Sequence, residues 1–302
     1  MNVLITGGAG FIGSHTCELL LKNNIKVCIV DDLSHGHASN VPDGVNFYQA
    51  DIRDAGEINR IFEKEKPDAL IHLAAQIKVH SSVVNPVNDA EINILGSINL
   101  LEAGIKNGLK KAVYAASAAI FGEPEYLPID EAHPLNMISG YGVSKHTVEH
   151  YLGVYNKLYG IGYNILRYSN VFGPRQDSSG EGGVVAIFSE LYAKDKPPVI
   201  YGDGEQVRDF VYVKDVARAN LMVLNAGKNG IYNVCTCEQL TINKLVDTFN
   251  EIYGRQTKPI YDKPRDGDIL VSYMTYDKIY NEIGWKPEYT FKDALQETAD
   301  SF

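Results

Sequence analysis

Tyr141 and Lys145 stand four residues apart in Tyr141-Gly142-Val143-Ser144-Lys145. On a helix that spacing puts both side chains on one face, so an ammonium can approach a phenol. A free tyrosine titrates near about 10. A neighbouring cation favours the phenolate, which makes this tyrosine a candidate base near neutrality. The pair alone is a weak signal in a chain with 19 tyrosines. Ser117 adds to it. It ends an apolar run (Tyr114-Ala115-Ala116-Ser117), where a hydroxyl could donate to the same substrate oxygen and shuttle its proton.

A second chemistry is written at the start of the chain. Ile5-Thr6-Gly7-Gly8-Ala9-Gly10-Phe11-Ile12-Gly13-Ser14 lies between an apolar run and an amphipathic stretch. Gly8, Gly10 and Gly13 fit G-x-G-x-x-G, and Gly7, Gly10 and Gly13 fit the wider-spaced variant. Glycine allows the tight turn and lets backbone N–H groups approach a pyrophosphate at the helix N-terminus. Asp31-Asp32 end the next apolar run, about 20 residues on, where a ribose-binding acid is required. A carboxylate accepts hydrogen bonds from a ribose 2′-OH and repels a 2′-phosphate, so NAD is favoured over NADP. Asp51, followed by Ile52, ends the third run. It could meet an adenine amino group or cap the next helix.

Stepping from these residues to their supports, short apolar runs alternate with amphipathic stretches. Val3–Thr6, Lys26–Asp31, Asn46–Ala50, Ala69–Leu73, Lys111–Ser117 and Tyr163–Tyr168 read as buried strands. Phe11–Lys22, Glu57–Glu65, Ala90–Asn107 and Tyr141–Tyr159 read as helices. Runs without a polar face, alternating with helices, predict an α/β fold: a doubly wound parallel sheet covered on both sides. Ligands then bind beyond the carboxyl ends of the strands. After residue 170 Gly/Pro/Ser-rich stretches appear, including Gly173-Pro174-Arg175 and Ser178-Ser179-Gly180-Glu181-Gly182-Gly183. We place the dinucleotide domain at 1–170, with about 207–227 returning to it, and a smaller lobe at 171–206 and 228–302.

The chain has 302 residues, enough for such a pair of lobes, and its 45% hydrophobic and 22% charged composition is that of a folded globular protein. A net charge of −10 argues against nucleic acid or an anionic membrane as partner, because the long-range field repels both. An anionic small substrate must then be held by local arginines. No stretch has the length of a membrane span and no signal peptide precedes the first strand, so a cytoplasmic location is expected. The cysteines Cys17, Cys28, Cys235 and Cys237 lack zinc spacing and read as reduced packing residues. His146 and His150 have the i, i+4 spacing of helical metal ligands, but no third ligand motif accompanies them, and no metal is expected.

In order along the chain come the glycine loop, Asp31-Asp32, His72-Leu73-Ala74-Ala75-Gln76, Asn93 with Gly96, Ser117, Tyr141/Lys145 and Arg167-Tyr168-Ser169-Asn170. This set resembles the extended short-chain dehydrogenases that act on nucleotide sugars, most of all the UDP-glucose/UDP-N-acetylglucosamine 4-epimerases. The resemblance covers essentially the whole chain and implies a Rossmann-type sheet with a nucleotide-sugar lobe. It implies that Leu73, Ala74, Ala75 and Asn93 line the NAD site with Ile52 and Ala115, and that Tyr168 lies near the nicotinamide. In the second lobe Arg208 matches the family's diphosphate-binding arginine. Arg265-Asp266-Gly267-Asp268 matches its Arg-x-Gly-Asp segment, with Arg265 on the diphosphate and Asp268 on the uridine ribose. Asn170 would bond the nucleotide sugar, and Val199 and Tyr201 would flank the uracil. Forked guanidinium groups suit phosphate oxygens.

Sugar dehydratases and decarboxylases of the same fold resemble one another in placing an acid after the serine. This chain has Ala118-Ala119, which cannot transfer a proton. The resemblance therefore implies a 4-epimerase: Tyr141 takes the C4-hydroxyl proton while hydride moves to NAD, and the 4-keto sugar turns and is reduced on its other face. It further implies that Ser272 walls the hexose pocket, where a small residue admits a 2-N-acetyl group. Lys78 stands where many relatives carry a small residue. It could favour an acidic substituent on the hexose or turn to solvent. Ala116 replaces a common serine, at the cost of one sugar or cofactor contact. Two helical patterns, Ala90–Asn107 and the one after Tyr141, have apolar faces that could pair across a two-fold axis, as the resemblance implies for a homodimer, or be buried within the monomer. Two rival readings remain: a net oxidoreductase or dehydratase, and an NAD-sensing regulator without chemistry.

Overall fold

Five of the six strand runs, free of polar faces, become the buried centre of one sheet; the sixth, Asn46–Gln49, is an edge strand and is not buried. The computed structural model describes residues 1–179, 183–265 and 267–302. Gly180, Glu181 and Gly182 of the Gly/Ser-rich stretch and Asp266 of the Arg-x-Gly-Asp segment lie outside the described residues. By contact the chain divides into two units, residues 1–122, 135–167 and 217–232, and residues 123–134, 168–216 and 233–302. The bounds differ from the sequence reading. The first unit reaches only Arg167, Glu123–Pro134 belongs to the second unit, and the return runs Ala217–Tyr232, beginning inside a helix. No composition shift marks these points.

The first unit runs β1 (Asn2–Thr6), α1 (Phe11–Lys22), β2 (Lys26–Asp31), β3 (Asn46–Gln49), α2 (Ala55–Glu65), β4 (Ala69–His72), α3 (Val79–Val84), α4 (Pro86–Ala90), α5 (Gly96–Lys106), β5 (Lys111–Ser117), α6 (Gly140–Tyr159) and β6 (Gly162–Tyr168). With β11 (Gly230–Val234) these strands make a seven-stranded sheet in the order β11-β6-β5-β4-β1-β2-β3. β1 pairs in parallel with both β2 and β4, so the strand order reverses beside β1, the switch point where such sheets bind ligands. Leu4, Val30 and Leu70 from the strands, Ile58, Ile61 and Phe62 from α2, and Leu100 and Ala103 from α5 form one core cluster. Ala112, Tyr114 and Ala116 of β5 pack with Val148, Leu152 and Tyr155 of α6 in another. The side chain of Ala116 is thus core, which accounts for an apolar residue there.

The expected helix Ala90–Asn107 is broken into parts. Glu91–Leu95 between α4 and α5 is a π turn. Asn85 starts α4 by accepting from the Asn88 N–H. π turns of this kind collect at functional sites, and this one carries Asn93. Asp54, not Asp51, caps α2, accepting from the Glu57 N–H at 3.0 Å. α6 is capped by Ser139 and ends on Gly160 in the left-handed region.

The second unit contains β7 (Asn170–Phe172), α7 (Val184–Ala193), β8 (Val199–Tyr201), β9 (Val207–Arg208), β10 (Phe210–Tyr212), the start of α8 (Val213–Asn225), β12 (Leu240–Thr241), α9 (Ile242–Tyr253), β13 (Ile260–Asp262), β14 (Val271–Ser272), α10 (Asp277–Ile283) and α11 (Phe291–Ala299). Its strands form small sheets: β10 with β7, β13 with β8, and β12-β9-β14. Aromatic packing makes its core, with Tyr192 stacked on Phe249 at 4.9 Å. A buried carboxylate ties the strands together. Asp209 accepts from the N–H groups of Thr236, Cys237 and Met274 and from the Thr236 hydroxyl. Those bonds favour its charged form, but burial outweighs them and leaves its pKa raised.

Candidate active site

The glycine loop has the form a phosphate cradle needs. Gly7 sits at φ +71, a region costly for other residues, and its N–H bonds the Val30 carbonyl at 2.8 Å. A Cβ on Gly13 would lie 2.0 Å from the Gly7 oxygen, so the helix can approach the loop only with glycine there. The N-terminus of α1, at Gly10-Phe11-Ile12, has no side-chain cap and no acidic residue in its first turn. Its first N–H groups and helix dipole therefore suit an anion.

Asp31 is buried beside this loop. It accepts from the Ala9 N–H at 3.0 Å and the Leu33 N–H at 2.9 Å, and burial raises its pKa. Each carboxylate oxygen has a second acceptor position, so a ribose hydroxyl can still be met. Asp32 is exposed and engaged locally, accepting from the Ser34 N–H and hydroxyl. Asp51 is gripped by the Arg53 guanidinium, which holds its carboxyl below the usual range. Ile52 is buried under Gly96, where a Cβ would come within 2.6 Å of it. The sequence paired Asn93 with Gly96; the reason for the glycine is Ile52.

Behind the loop runs a buried polar chain. The Thr6 hydroxyl meets His72 Nδ1 at 2.7 Å, and His72 Nε2 meets the Ser97 hydroxyl at 2.8 Å. Ser97 donates to the Asn93 carbonyl, so its oxygen accepts from His72 Nε2–H, and Nδ1 accepts from Thr6. Burial pushes the His72 pKa down to about 3, and the ring stays neutral. The Ala74 N–H also bonds Thr6, which fixes the Leu73-Ala74-Ala75 segment beyond β4.

The π turn aims Asn93 at α6. Its carbonyl accepts from the Gln76 N–H at 2.8 Å. Its amide donates to the Gln76 carbonyl, to Asp89 and to the Ser144 hydroxyl at 3.1 Å. Ser144 in turn bonds the Tyr141 carbonyl. Gln76 clamps Lys78 by its backbone, donating to its carbonyl at 3.0 Å and accepting from its N–H at 2.5 Å, and donates to Asp89 at 2.7 Å. The sequence reading gave no role to Asp89, Gln76 or Ser144. Each is an ordinary polar residue in the sequence, and only its place in this network gives it weight, with Asp89 and Ser144 buried and Gln76 half-buried.

Ser117 and Tyr141 face one another, and the serine hydroxyl lowers the phenol's pKa. Burial raises it more, and Asp89 adds to the rise. The sequence reading expected the lysine to favour the phenolate. In the chain alone burial sets the direction. The Lys145 ammonium lies over the Tyr114 ring at 4.5 Å, and desolvation pulls its pKa down to about 7 against the pull of Asp89 and Glu149. Ser117 also accepts from the Ala119 N–H, which closes the turn Ala118–Ile120.

The second unit gathers most of the expected substrate residues. Arg208 on β9 pairs with Asp268. Ser272 on β14 is in register beside Arg208. The Arg265 guanidinium lies over the Tyr201 ring at 4.0 Å. Val199 and Tyr201 bracket β8 and are both partly exposed. Asn170 opens β7 exposed, with its amide and N–H both donating to the Asp209 carbonyl. Tyr168 is buried at the end of β6. Among the described residues no group of three or more His, Cys, Asp or Glu side chains is arranged to hold a metal ion, and no helix is long and apolar enough to cross a membrane.

Comparison with known proteins gives concordant matches. The NAD dependent epimerase/dehydratase family matches residues 3–235. UDP-glucose 4-epimerase of Thermotoga maritima, solved with UDP-glucose, is 43% identical with a TM-score of 0.97, covering 100% of this chain and 98% of that one. UDP-glucose 4-epimerase of Thermus thermophilus, solved with NAD, is 43% identical with a TM-score of 0.93 and the same coverage. UDP-N-acetylglucosamine 4-epimerase of Methanobrevibacter ruminantium, solved with UDP-N-acetylmuramic acid, is 35% identical with a TM-score of 0.95, covering 100% and 97%.

Proposed function

The chain belongs to the NAD dependent epimerase/dehydratase family, and from that premise we propose that it inverts C4 of a UDP-hexose with NAD as its cofactor. The observation that carries this reading is Tyr141 on α6 facing Ser117, with only alanine at 118 and 119 where an eliminating enzyme needs an acid.

NAD fits the residues present. The Gly7–Gly13 cradle and uncapped α1 suit its pyrophosphate, Asp31 its adenosine ribose, and Ile52, Leu73, Ala74, Ala75, Asn93, Ala115 and Tyr168 its remaining surfaces. Bound there, it supplies one reversible two-electron oxidation at a sugar carbon. The chain's own residues manage the proton. Tyr141 Oη takes it from the C4 hydroxyl and returns it after the ring has turned. Ser117 Oγ holds the same oxygen. Lys145, anchored over Tyr114, supplies positive charge that lowers the cost of the phenolate. Asn93 and Ser144 fix the helix turn that presents Tyr141. Arg208 and Arg265 take the diphosphate and Asp268 the uridine ribose, beside Val199, Tyr201 and Asn170. Holding UDP tightly lets the sugar turn without release, because binding away from the reacting carbon supports the step.

Ser272 leaves room for a 2-N-acetyl group, and we assign UDP-GlcNAc and UDP-GalNAc as substrates beside UDP-Glc and UDP-Gal. A relative named UDP-N-acetylglucosamine 4-epimerase supports this assignment. Lys78 sits on the sugar side of the same reading. The protein works in the cytoplasm as a homodimer through the helical faces that carry the exposed Leu95, Val143, Val154 and Leu158.

The test is proton NMR of the purified protein with UDP-Glc and, separately, UDP-GlcNAc, without added cofactor. New galacto-configured anomeric signals from both are expected. No epimer from either substrate, with NAD added, refutes the assignment. A Ser272→Tyr variant should keep UDP-Glc turnover and lose UDP-GlcNAc turnover, and equal loss of both would remove the role of Ser272. Light scattering at micromolar concentration should give twice the 33.4 kDa chain mass.

A further inference from the structure

We propose that Glu149 is a positioning residue for the reaction assigned above: its buried carboxylate, clamped by Arg167, is the counter-charge that holds the Lys145 ammonium inside the fold. This role rests on the assigned reaction for its effect on turnover, and on the packing of α6 for the placement of the charge.

Lys145 and Glu149 stand four residues apart on α6, so both project from one face, a turn apart. That face is turned to the sheet. Lys145 lies over the Tyr114 ring of β5 at 4.5 Å, and Glu149 meets Arg167 of β6, the neighbouring strand. Both residues are buried, Lys145 3% and Glu149 6% exposed. A buried ammonium needs a compensating charge. Among the described residues no carboxylate contacts it directly, and an aromatic face offsets only part of the lost hydration. Two carboxylates act on it from farther away, Asp89 of α4 and Glu149, and both raise its pKa against desolvation.

The surroundings of Glu149 keep its charge in one place. Arg167 Nε and Nη2 donate to its two oxygens at 3.0 and 2.8 Å, and His146 Nδ1 lies 3.1 Å from one of them. These donors favour the ionised carboxylate and fix its orientation. The Arg167 guanidinium is itself held over the Phe121 ring at 5.3 Å. The ion pair is a dipole, and its negative end is the part carried on the helix of Lys145. The other groups around Lys145 supply no such charge. Burial keeps His72 of β4 and Tyr114 of β5 neutral, and Tyr141 is the proton-transferring phenol one turn back on α6. Asp89 raises the pKa of Tyr141 as well as that of Lys145, whereas Glu149 acts on the lysine of that pair.

The experiment reads Lys145 itself. The NAD-loaded protein is isotope-labelled at the lysine Cε and its signals are followed by NMR as pH is raised, with Lys145 identified as the signal missing from Lys145→Met. Wild type, Glu149→Gln, Glu149→Asp and the double variant Glu149→Gln/Arg167→Met are compared, and circular dichroism checks that each is folded. The double variant removes both charges, so no arginine is left buried without its carboxylate. The expected result is a Lys145 titration midpoint moved to lower pH in Glu149→Gln and in the double variant, and nearer to wild type in Glu149→Asp, which keeps the charge. A double-variant midpoint that coincides with wild type overturns the proposal, because a shift confined to Glu149→Gln would come from the orphaned arginine. Turnover of UDP-Glc is measured separately. At mildly alkaline pH kcat should fall in Glu149→Gln with KM unchanged, and be partly restored in Glu149→Asp. An equal fall in both at every pH would mark a merely structural residue and overturn the role. Failure of the wild type to epimerise any UDP-hexose would refute the assigned reaction instead, and the Lys145 titration would still decide where the counter-charge lies.

Discussion

The two units hold their functional groups in opposite ways. In the first, the polar side chains around α6 are buried, Gln76 half-buried, and bonded to one another: Thr6, His72, Ser97, Asn93, Gln76, Asp89 and Ser144 form one connected system. In the second, the groups assigned to the nucleotide sugar are partly exposed and paired in twos, Arg208 with Asp268 and Arg265 with Tyr201. The first arrangement preorganises, so reacting atoms are held before substrate arrives. The second can be exchanged, because exposed ion and cation–π pairs are worth little and give way to a diphosphate at small cost. On the proposed assignment, chemistry and capture are thus separated. Damage to the first unit should appear in kcat or in folding, and damage to the second in KM.

The sharpest way to break this comparison is Tyr141→Phe. It removes the proton-transferring oxygen and leaves the packing, so kcat should fall by about 10²–10⁴ with NAD retained. Steady-state rates with cofactor content measured after denaturation check it. A variant that keeps its rate would show that Tyr141 is not the base.

His72 tests the buried system itself. Its folded pKa, about 3, lies below the ordinary value of about 6.5, so the native chain binds fewer protons than the unfolded one between those values. Stability is therefore full above pH 6.5 and is lost as pH falls toward 3, by at most about 5 kcal/mol. Urea unfolding across that window should show the slope. His72→Asn should be less stable at pH 7 and lack the histidine part of it.

Arg208→Ala probes the exchangeable half. Losing one charge-assisted bond to the diphosphate of about 1.5–3 kcal/mol should raise KM roughly 10- to 100-fold, with kcat little changed. A fall in kcat alone would erase the distinction between the units.

Asp89→Asn is the smallest and the most discriminating. The Asp89 charge raises the pKa of both Tyr141 and Lys145. Without it the rising limb of the kcat–pH profile should move to lower pH, at unchanged KM. A merely structural residue would lower the rate at every pH without moving the limb.

The two units were also unequally legible. In the first, strand bounds such as Lys26–Asp31 and Lys111–Ser117 and the helix Phe11–Lys22 read directly from apolar runs and periodicity. α3 (Val79–Val84) was not foreseen, because six residues of valine, serine and histidine carry no helical periodicity. The π turn was invisible for another reason. Glu91–Leu95 has an ordinary helical composition, and the extra residue in the turn is set by Asn93 reaching Gln76 and Ser144, which are distant in sequence. In the second unit strands of two or three residues, such as β9 and β14, offer too little periodicity to read.

The sequence by itself determined the alternation of the Rossmann-type sheet, the glycine loop and the spacing of Tyr141 and Lys145. These are local: each depends on residues within a turn or two, and on the steric freedom of glycine. Only the tertiary structure decided which polar residues matter. It buried Asp89 beside Asn93, laid Lys145 over Tyr114 and lowered its pKa to about 7, set Asp268 against Arg208, and turned two helical histidines toward one another. Burial and charge–charge distance are properties of three-dimensional neighbours, and the order of residues along a chain does not contain them.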